Sequence, residues 1–195
     1  MSELTTAEYT EKSEKANLGF WIYLLTDGIL FSCFFATYVI LRHNVNGGPG
    51  THDLFDLNFV LAETIILLTS SYTVGLANLA LKSKRTKEFV GYFIVTILLG
   101  IAFLVLELHE FGSIIAGGDS WTTSAFLTSF FSLVGLHGAH ITVGLIWGSV
   151  LGWAIWRQGK NKDLERKFSL FAMFWHFLDI IWIFIFTVVY VLGVI

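Results

Sequence analysis

The chain has 195 residues, of which 55% are hydrophobic and only 14% are charged, and its formal net charge is −3. About a quarter of the residues of a soluble domain are charged, so this composition excludes an ordinary soluble protein and indicates an integral membrane protein. No basic run is interleaved with aromatic residues, so the sequence predicts no nucleic-acid partner.

The single cysteine, Cys33, lies in the middle of the first apolar run. One cysteine excludes an internal disulfide, a Cys-x-x-Cys metal site and a covalent haem attachment motif. We expect Cys33 to be a small buried hydrophobic residue.

Five apolar runs follow one another along the chain, and each exceeds the roughly 20 residues that a helix needs to span a bilayer. We predict an all-α membrane protein with a polar tail over residues 1–18 and one five-helix domain over residues 19–195. The first run is too long for a signal peptide, so we expect it to remain as a membrane anchor. The predicted spans are residues 19–41, 57–81, 89–115, 124–156 and 168–195.

The positive charges lie almost entirely on one side of these spans. Of the 12 Lys and Arg residues, 11 fall in the N-terminal tail and in the second and fourth connections, and only Arg42 falls on the other side. The positive-inside rule therefore predicts a cytoplasmic N-terminus and a periplasmic C-terminus.

Glycines recur in the fourth run and predict a close approach between helices. They are Gly135, Gly144, Gly148 and Gly152.

Ionisable residues inside the spans are costly in lipid, so they are expected to face the interior of the bundle. Asp27 and His176 each lie eight residues inside their predicted spans, or about 12 Å at the helical rise. Asp179 is nearly one turn beyond His176, and His137 and His140 lie deep in the fourth run. We hypothesise that these five side chains meet at a similar depth in the cytoplasmic half.

A second group of polar residues is expected nearer the outer side. Glu63 lies about 9 Å inside the second span. Glu107, His109 and Glu110 lie close together towards the end of the third span, and Glu107 and Glu110 share a helix face. We expect these four residues to form a shallower buried group.

Three functions remain open for these buried residues. His137, His140, His176 and Asp179 could ligate a catalytic metal, or the buried groups could relay protons. The favoured interpretation is that His–carboxylate hydrogen bonds fix the helices and support a lipid or a partner subunit. No hydrolase serine elbow, phosphate-binding loop or dinucleotide fingerprint accompanies them.

Three stretches together resemble subunit III of the haem–copper terminal oxidases. They are residues 19–27 (GFWIYLLTD), 137–140 (HGAH) and 174–182 (FWHFLDIIW). The resemblance extends from about residue 19 to residue 195. The five-helix form, with Asp27 where mitochondrial-type relatives carry Glu, is most similar to the third subunits of bacterial bo-type ubiquinol oxidases. Residues 47–49 and 59–64 strengthen the similarity.

The resemblance implies an accessory, non-redox subunit of a proton-pumping ubiquinol oxidase in the bacterial inner membrane. Such a complex oxidises ubiquinol and reduces dioxygen to water. This chain would hold no cofactor, stabilise subunit I, which carries the haems and copper, contact subunits II and IV, and bind phospholipid. By resemblance, Asp27, His140, His176 and Asp179 occupy recurrent structural positions of the family. The alternatives are subunit III of a cytochrome c oxidase, and an autonomous membrane metalloenzyme.

Overall fold

The computed structural model describes residues 6–47, 56–159 and 161–194; residues 48 and 49 of the stretch 47–49, and Lys160, lie outside them. Within these ranges the protein is all-helical, and five helices are long and apolar enough to span a membrane. The predicted all-α architecture with five spans is therefore confirmed.

The long helices are α1 (Thr6–Leu41), α2 (Leu57–Lys82), α3 (Thr86–Ala116), α4 (Ala125–Gln158) and α5 (Lys162–Ile185). Helix α5 continues through a π-helical segment (Phe186–Val191) into the short helix α6 (Leu192–Val194).

Polar caps determine where the last two long helices begin. The Ser124 side chain accepts a hydrogen bond from the Leu127 amide at 3.1 Å, and Asn161 accepts one from the Leu164 amide at 2.8 Å. Each cap satisfies an amide that has no partner within its helix. Both helices therefore begin at a short polar side chain.

Helix α1 begins well inside the predicted polar tail. Its first turns are polar but are made of good helix formers, and Lys15 pairs with Glu11 one turn away at 2.6 Å. The helix extends beyond the hydrophobic stretch at its N-terminal end, so a search for apolar runs does not detect these polar turns.

Helix α5 likewise starts at Lys162, before the predicted residue 168. Asp163 in its first turn pairs with Arg166 at 2.8 Å and with Lys167 at 2.7 Å. These charges stabilise a helical turn that precedes the apolar run.

The helices form a ring of four with α1 packed on its outside. Helix α3 packs against α2 and α4, and α5 packs against α4 and α2, so α2, α3, α4 and α5 close the ring. Helix α1 packs on α4 and α5. The core consists mainly of aromatic and branched side chains from α4 and α5.

The glycines of α4 allow aromatic rings to approach its backbone. An added Cβ at Gly144 or Gly148 would come within 2.9 Å of an aromatic ring of α5, and one at Gly152 would overlap a ring of α3. At Gly135 the nearest atom would be 3.7 Å away, which is an ordinary contact. The predicted close approach is therefore confirmed at three of the four glycines.

Cys33 is exposed, so the expectation of a buried cysteine was wrong. Helix α1 buries only one side, on which Leu24, Phe31 and Tyr38 recur every seven residues. Cys33 lies outside this stripe. A helix packed on one side of a bundle leaves most of its apolar residues to face lipid or another chain.

Candidate functional site

Asp27 and His140 link α1 to α4 inside the membrane. Asp27 Oδ2 lies 3.7 Å from His140 Nε2. His140 Nδ1 lies 2.8 Å from the Leu136 carbonyl, which can only accept, so Nδ1 carries a proton. The contact with Asp27 is longer than a hydrogen bond and is therefore an electrostatic one. It is covered by the Phe31 ring, whose centroid lies 5.2 Å from that of His140.

His137 lies inside the ring of four helices, on the other side of the Phe31 ring at a centroid distance of 6.4 Å. Its side chain is fully buried, and its ring centroid lies 5.3 Å from Trp182 and 5.9 Å from Phe103. In the described part of the chain neither ring nitrogen has a hydrogen-bond partner. His137 is therefore packed as an aromatic residue.

His176 and Asp179 on α5 both contact Ser71 on α2. His176 Nδ1 lies 2.6 Å from Ser71 Oγ, and the Asp179 carboxyl group lies near the same hydroxyl. The Ser71 hydroxyl can accept as well as donate, so it can pair with His176 Nδ1 in either direction. His176 itself is exposed, whereas Asp179 is buried.

The structure does not bring the five predicted residues of the deep group together. Asp27 meets His140 between α1 and α4, whereas His176 and Asp179 face α2, and His137 faces the interior. The pairs are separated because the His176 side chain lies against α2, beside Ser71 and Gly75.

The four ligands considered for a metalloenzyme therefore lie on different helix interfaces. Throughout residues 6–47, 56–159 and 161–194, no group of three or more His, Cys, Asp or Glu side chains is arranged to hold a metal ion.

Three carboxyl groups lie together in the other half of the bundle. Glu63, Glu107 and Glu110 are all buried, and Glu63 is close enough to the other two for their charges to interact. Tyr190 lies in the π-helical segment, and its hydroxyl donates a hydrogen bond to Glu110 Oε2 at 2.8 Å. Both oxygens of Glu63 and of Glu107 are buried without a hydrogen-bond partner among the described residues. Burying several like charges in this way is costly unless protons neutralise them.

His109 does not belong to this group, so the expectation that it is buried was wrong. It is exposed on α3, and its ring lies 6.2 Å from the Phe59 ring. Glu107 and Glu110 point inwards, and His109, between them in sequence, necessarily points elsewhere on a helix.

A hydroxyl network at the α2–α3–α5 junction was not predicted from the sequence. The buried Trp175 donates from Nε1 to Ser70 Oγ at 3.1 Å, and the Ser70 hydroxyl donates to the Thr96 carbonyl at 3.2 Å. Thr73 Oγ1 lies 2.8 Å from Thr96 Oγ1. Hydroxyl residues in apolar helices, together with a tryptophan that needs an acceptor, are the sequence signal for such a network.

An apolar groove of about 480 Å³ opens between α3 and α4 near the helix ends that carry the basic residues. Its rim includes Trp153, and the Arg157 guanidinium lies over that ring at 5.2 Å. The groove is otherwise lined mainly by aromatic and aliphatic side chains, including Phe89, Val90, Phe93 and Trp156. The groove therefore combines an apolar lining with a cation beside it.

Residues 6–194 match the family model described as cytochrome c oxidase subunit III. The chain belongs to this family. It is 48% identical over 175 residues to cytochrome bo(3) ubiquinol oxidase subunit 3 of Pseudomonas aeruginosa, covering 90% of this chain and 84% of that protein. It is 46% identical over 177 residues to the protein of the same name from Pseudomonas putida, covering 91% and 86%. A cytochrome c oxidase subunit 3 from a Bacillus species is 42% identical over 178 residues, again covering 91% and 86%.

These similarities confirm the resemblance to subunit III of haem–copper oxidases. With its five spans, this member of the subunit III family is a multi-pass protein of the bacterial inner membrane.

Proposed function

We propose that this chain is the accessory, non-redox third subunit of a proton-pumping haem–copper ubiquinol oxidase. The complex would oxidise ubiquinol and reduce dioxygen to water. Similarity to two bo(3) ubiquinol oxidase subunits over about 90% of the chain supports the complex. The observation that carries the accessory role is that the intramembrane polar groups bridge helices of the same bundle, as Asp27 and His140 do.

The role we assign to the chain is to stabilise subunit I, with subunits II and IV as further neighbours. Haems and copper are expected in subunit I, and this chain would hold none. A rigid bundle with extensive apolar outer faces suits such a role, because oligomeric contacts in membranes depend on packing of preformed helices.

Phospholipid binding is the second part of the proposal. The α3–α4 groove supplies an apolar surface, and Arg157 supplies a cation at its rim. Positive charge near the membrane surface attracts anionic lipid headgroups.

The orientation follows from the distribution of charge. The ends of α2 and α4 and the starts of α3 and α5 carry most of the Lys and Arg residues. By the positive-inside rule these ends face the cytoplasm, together with the N-terminus, and the C-terminus faces the periplasm.

Purification of the tagged chain from its native membrane in mild detergent tests the proposal. We expect haem bands in the visible spectrum, a larger multi-span partner, and quinol-driven oxygen uptake. The chain stripped from the complex should be colourless and free of stoichiometric metal. A chain purified alone with stoichiometric iron, copper or zinc would overturn the proposal.

The alternative is subunit III of a cytochrome c oxidase, which is favoured by the 42% identity to the Bacillus protein of that name. The two are distinguished by the electron donor of the purified complex. Oxygen uptake driven by reduced cytochrome c, and not by ubiquinol, would support the alternative.

A further inference from the structure

One face of α5 is left uncovered between α1 and α2. Helix α1 packs on α4 and α5, and its contact with α2 is marginal at most in the described part of the chain. The outward stripe of α5 therefore contains exposed residues on successive turns, namely His176, Ile180 and Ile183.

A histidine at this depth is unusual on a surface that faces lipid. His176 lies nine residues beyond Lys167, the last basic residue at the start of α5, which corresponds to about 13.5 Å along the helix. A polar side chain facing hydrocarbon at such a depth is costly, and intramembrane ionisable groups normally contact protein or a cavity.

The orientation of the ring is fixed by the neighbouring helix. Nδ1 lies 2.6 Å from Ser71 Oγ, which holds this side of the ring against α2. Nε2, the other ring nitrogen, can form a second hydrogen bond. Gly75 of α2 lies beside the ring, and an added Cβ there would come within 3.8 Å of Nε2. The ring is thus presented at the surface with one nitrogen available for a hydrogen bond.

We propose that the outward face of α5 between α1 and α2, centred on His176, binds a transmembrane helix of a partner oxidase subunit that forms a hydrogen bond with His176 Nε2. The inference rests on the proposed function, since it requires a multisubunit complex.

Two features favour a helix over a lipid as the occupant. An acyl chain has no hydrogen-bonding group, and a headgroup stays near the membrane surface, whereas a helix can carry a hydrogen-bonding side chain to any depth. An apolar groove of about 520 Å³ between α1 and α5 extends this face, and small side chains, Ser32 and Ala36, contribute to its lining. Small residues at helix interfaces in membranes allow close packing of another helix.

Site-specific photo-crosslinking in the assembled oxidase tests the surface without disturbing His176. A benzophenone amino acid replaces Ile180 on the proposed face, and Ile101 on the exposed side of α3 in the control. These two residues have similar exposed fractions, 54% and 45%. We expect a covalent adduct with a partner subunit from position 180 and a much lower yield from position 101.

A protein adduct from position 101 alone, or adducts only with lipid from position 180, would show that this face is not the binding surface. Either result would leave the proposed function intact. A chain that is not part of any haem-containing complex would instead refute the proposed function.

Variants of His176 test the hydrogen bond itself. We expect the His176→Leu chain to dissociate from the complex at a detergent concentration at which the wild-type chain stays bound. The His176→Gln chain keeps a hydrogen-bonding side chain, so much more of it should stay bound. His109→Leu, at the exposed histidine of α3, is the matched control and should be retained. Normal retention of His176→Leu would contradict the proposed hydrogen bond.

Discussion

The carboxyl group of Glu107 on α3 lies directly against the backbone of Gly138 on α4. A Cβ added to Gly138 would come within 2.6 Å of Glu107 Oε1, a distance that real Cβ atoms essentially never show. The Glu107 side chain is only 1% exposed, so a group that displaces the carboxyl group must push it against buried neighbours. Gly138 therefore leaves the space that this carboxyl group occupies between α3 and α4.

The variant Gly138→Ala should consequently be less stable, by about 1–3 kcal/mol for an overpacked site. The measurement is thermal unfolding of the purified protein, followed by tryptophan fluorescence. Gly91→Ala is the matched control, because an added Cβ in α3 at that position would meet no atom within 4 Å. We expect the control to unfold at the wild-type temperature or slightly above it. Equal unfolding temperatures for both variants would contradict the prediction and would show that the Glu107 side chain or α4 shifts to make room.

Asp27→Ala should weaken the attachment of α1 to α4, because it removes the carboxylate beside His140 Nε2. We expect a shorter working life of the oxidase during turnover, with an unchanged haem spectrum. Thr26→Ala serves as the control, since the Thr26 hydroxyl is exposed and bonds only to a carbonyl of its own helix. Loss of the haem signal from an otherwise assembled Asp27→Ala complex would contradict a purely structural role.

Much of the fold could be predicted because membrane helices are long apolar runs. The sequence predicted five helices and their approximate boundaries, and it failed mainly where a helix continues into polar residues, as at Thr6 and Lys162. In those segments local pairs and caps stabilise the helix, and hydropathy carries no signal.

The polar contacts could be predicted only in part, because depth along a helix does not determine direction around it. The depth argument correctly predicted that Asp27 lies near His140, but it also predicted that His176 lies beside them, which was wrong. The direction in which His176 points depends on how α5 is rotated between α1 and α2. That rotation is fixed by packing, for example by the Trp175 ring against Gly100 and Gly144, which no single-sequence pattern reveals.

Ser70→Ala should destabilise the bundle because it leaves the Trp175 Nε1–H without its acceptor. A buried donor without a partner costs about 1–3 kcal/mol. Thr69→Ala is the control, since the Thr69 hydroxyl is exposed and bonds to the Ile65 carbonyl of its own helix. The unfolding temperature should fall for the first variant and remain near that of the wild type for the second. A similar fall in both would indicate a loss of helix propensity in α2 instead.

Tyr190→Phe should also lower the unfolding temperature, because Glu110 loses the hydroxyl that donates to its Oε2 at 2.8 Å. The effect should be about 1–3 kcal/mol, the cost of a buried polar group that loses its partner. Glu110→Gln keeps an acceptor oxygen for Tyr190 and removes a potential charge from the carboxyl group, so it should be milder. If Glu110→Gln proved the more damaging variant, the negative charge of Glu110 would be required, and the like-charge argument for this group would not hold.

Removal of the cation at the α3–α4 groove should reduce phospholipid binding. Arg157→Gln takes away the guanidinium above Trp153, at the end of the bundle that we assign to the cytoplasm. We expect less anionic phospholipid to copurify with the complex, as measured by mass spectrometry of extracted lipids. Arg42→Gln, which changes the one cation at the opposite end, is the control and should leave the bound lipid unchanged.

Val90→Trp, which narrows the groove without changing charge, should reduce the bound lipid as well, because the acyl chain and the headgroup are held by different parts of the same site. If neither Arg157→Gln nor Val90→Trp changed the lipid content, the groove would not be the lipid site.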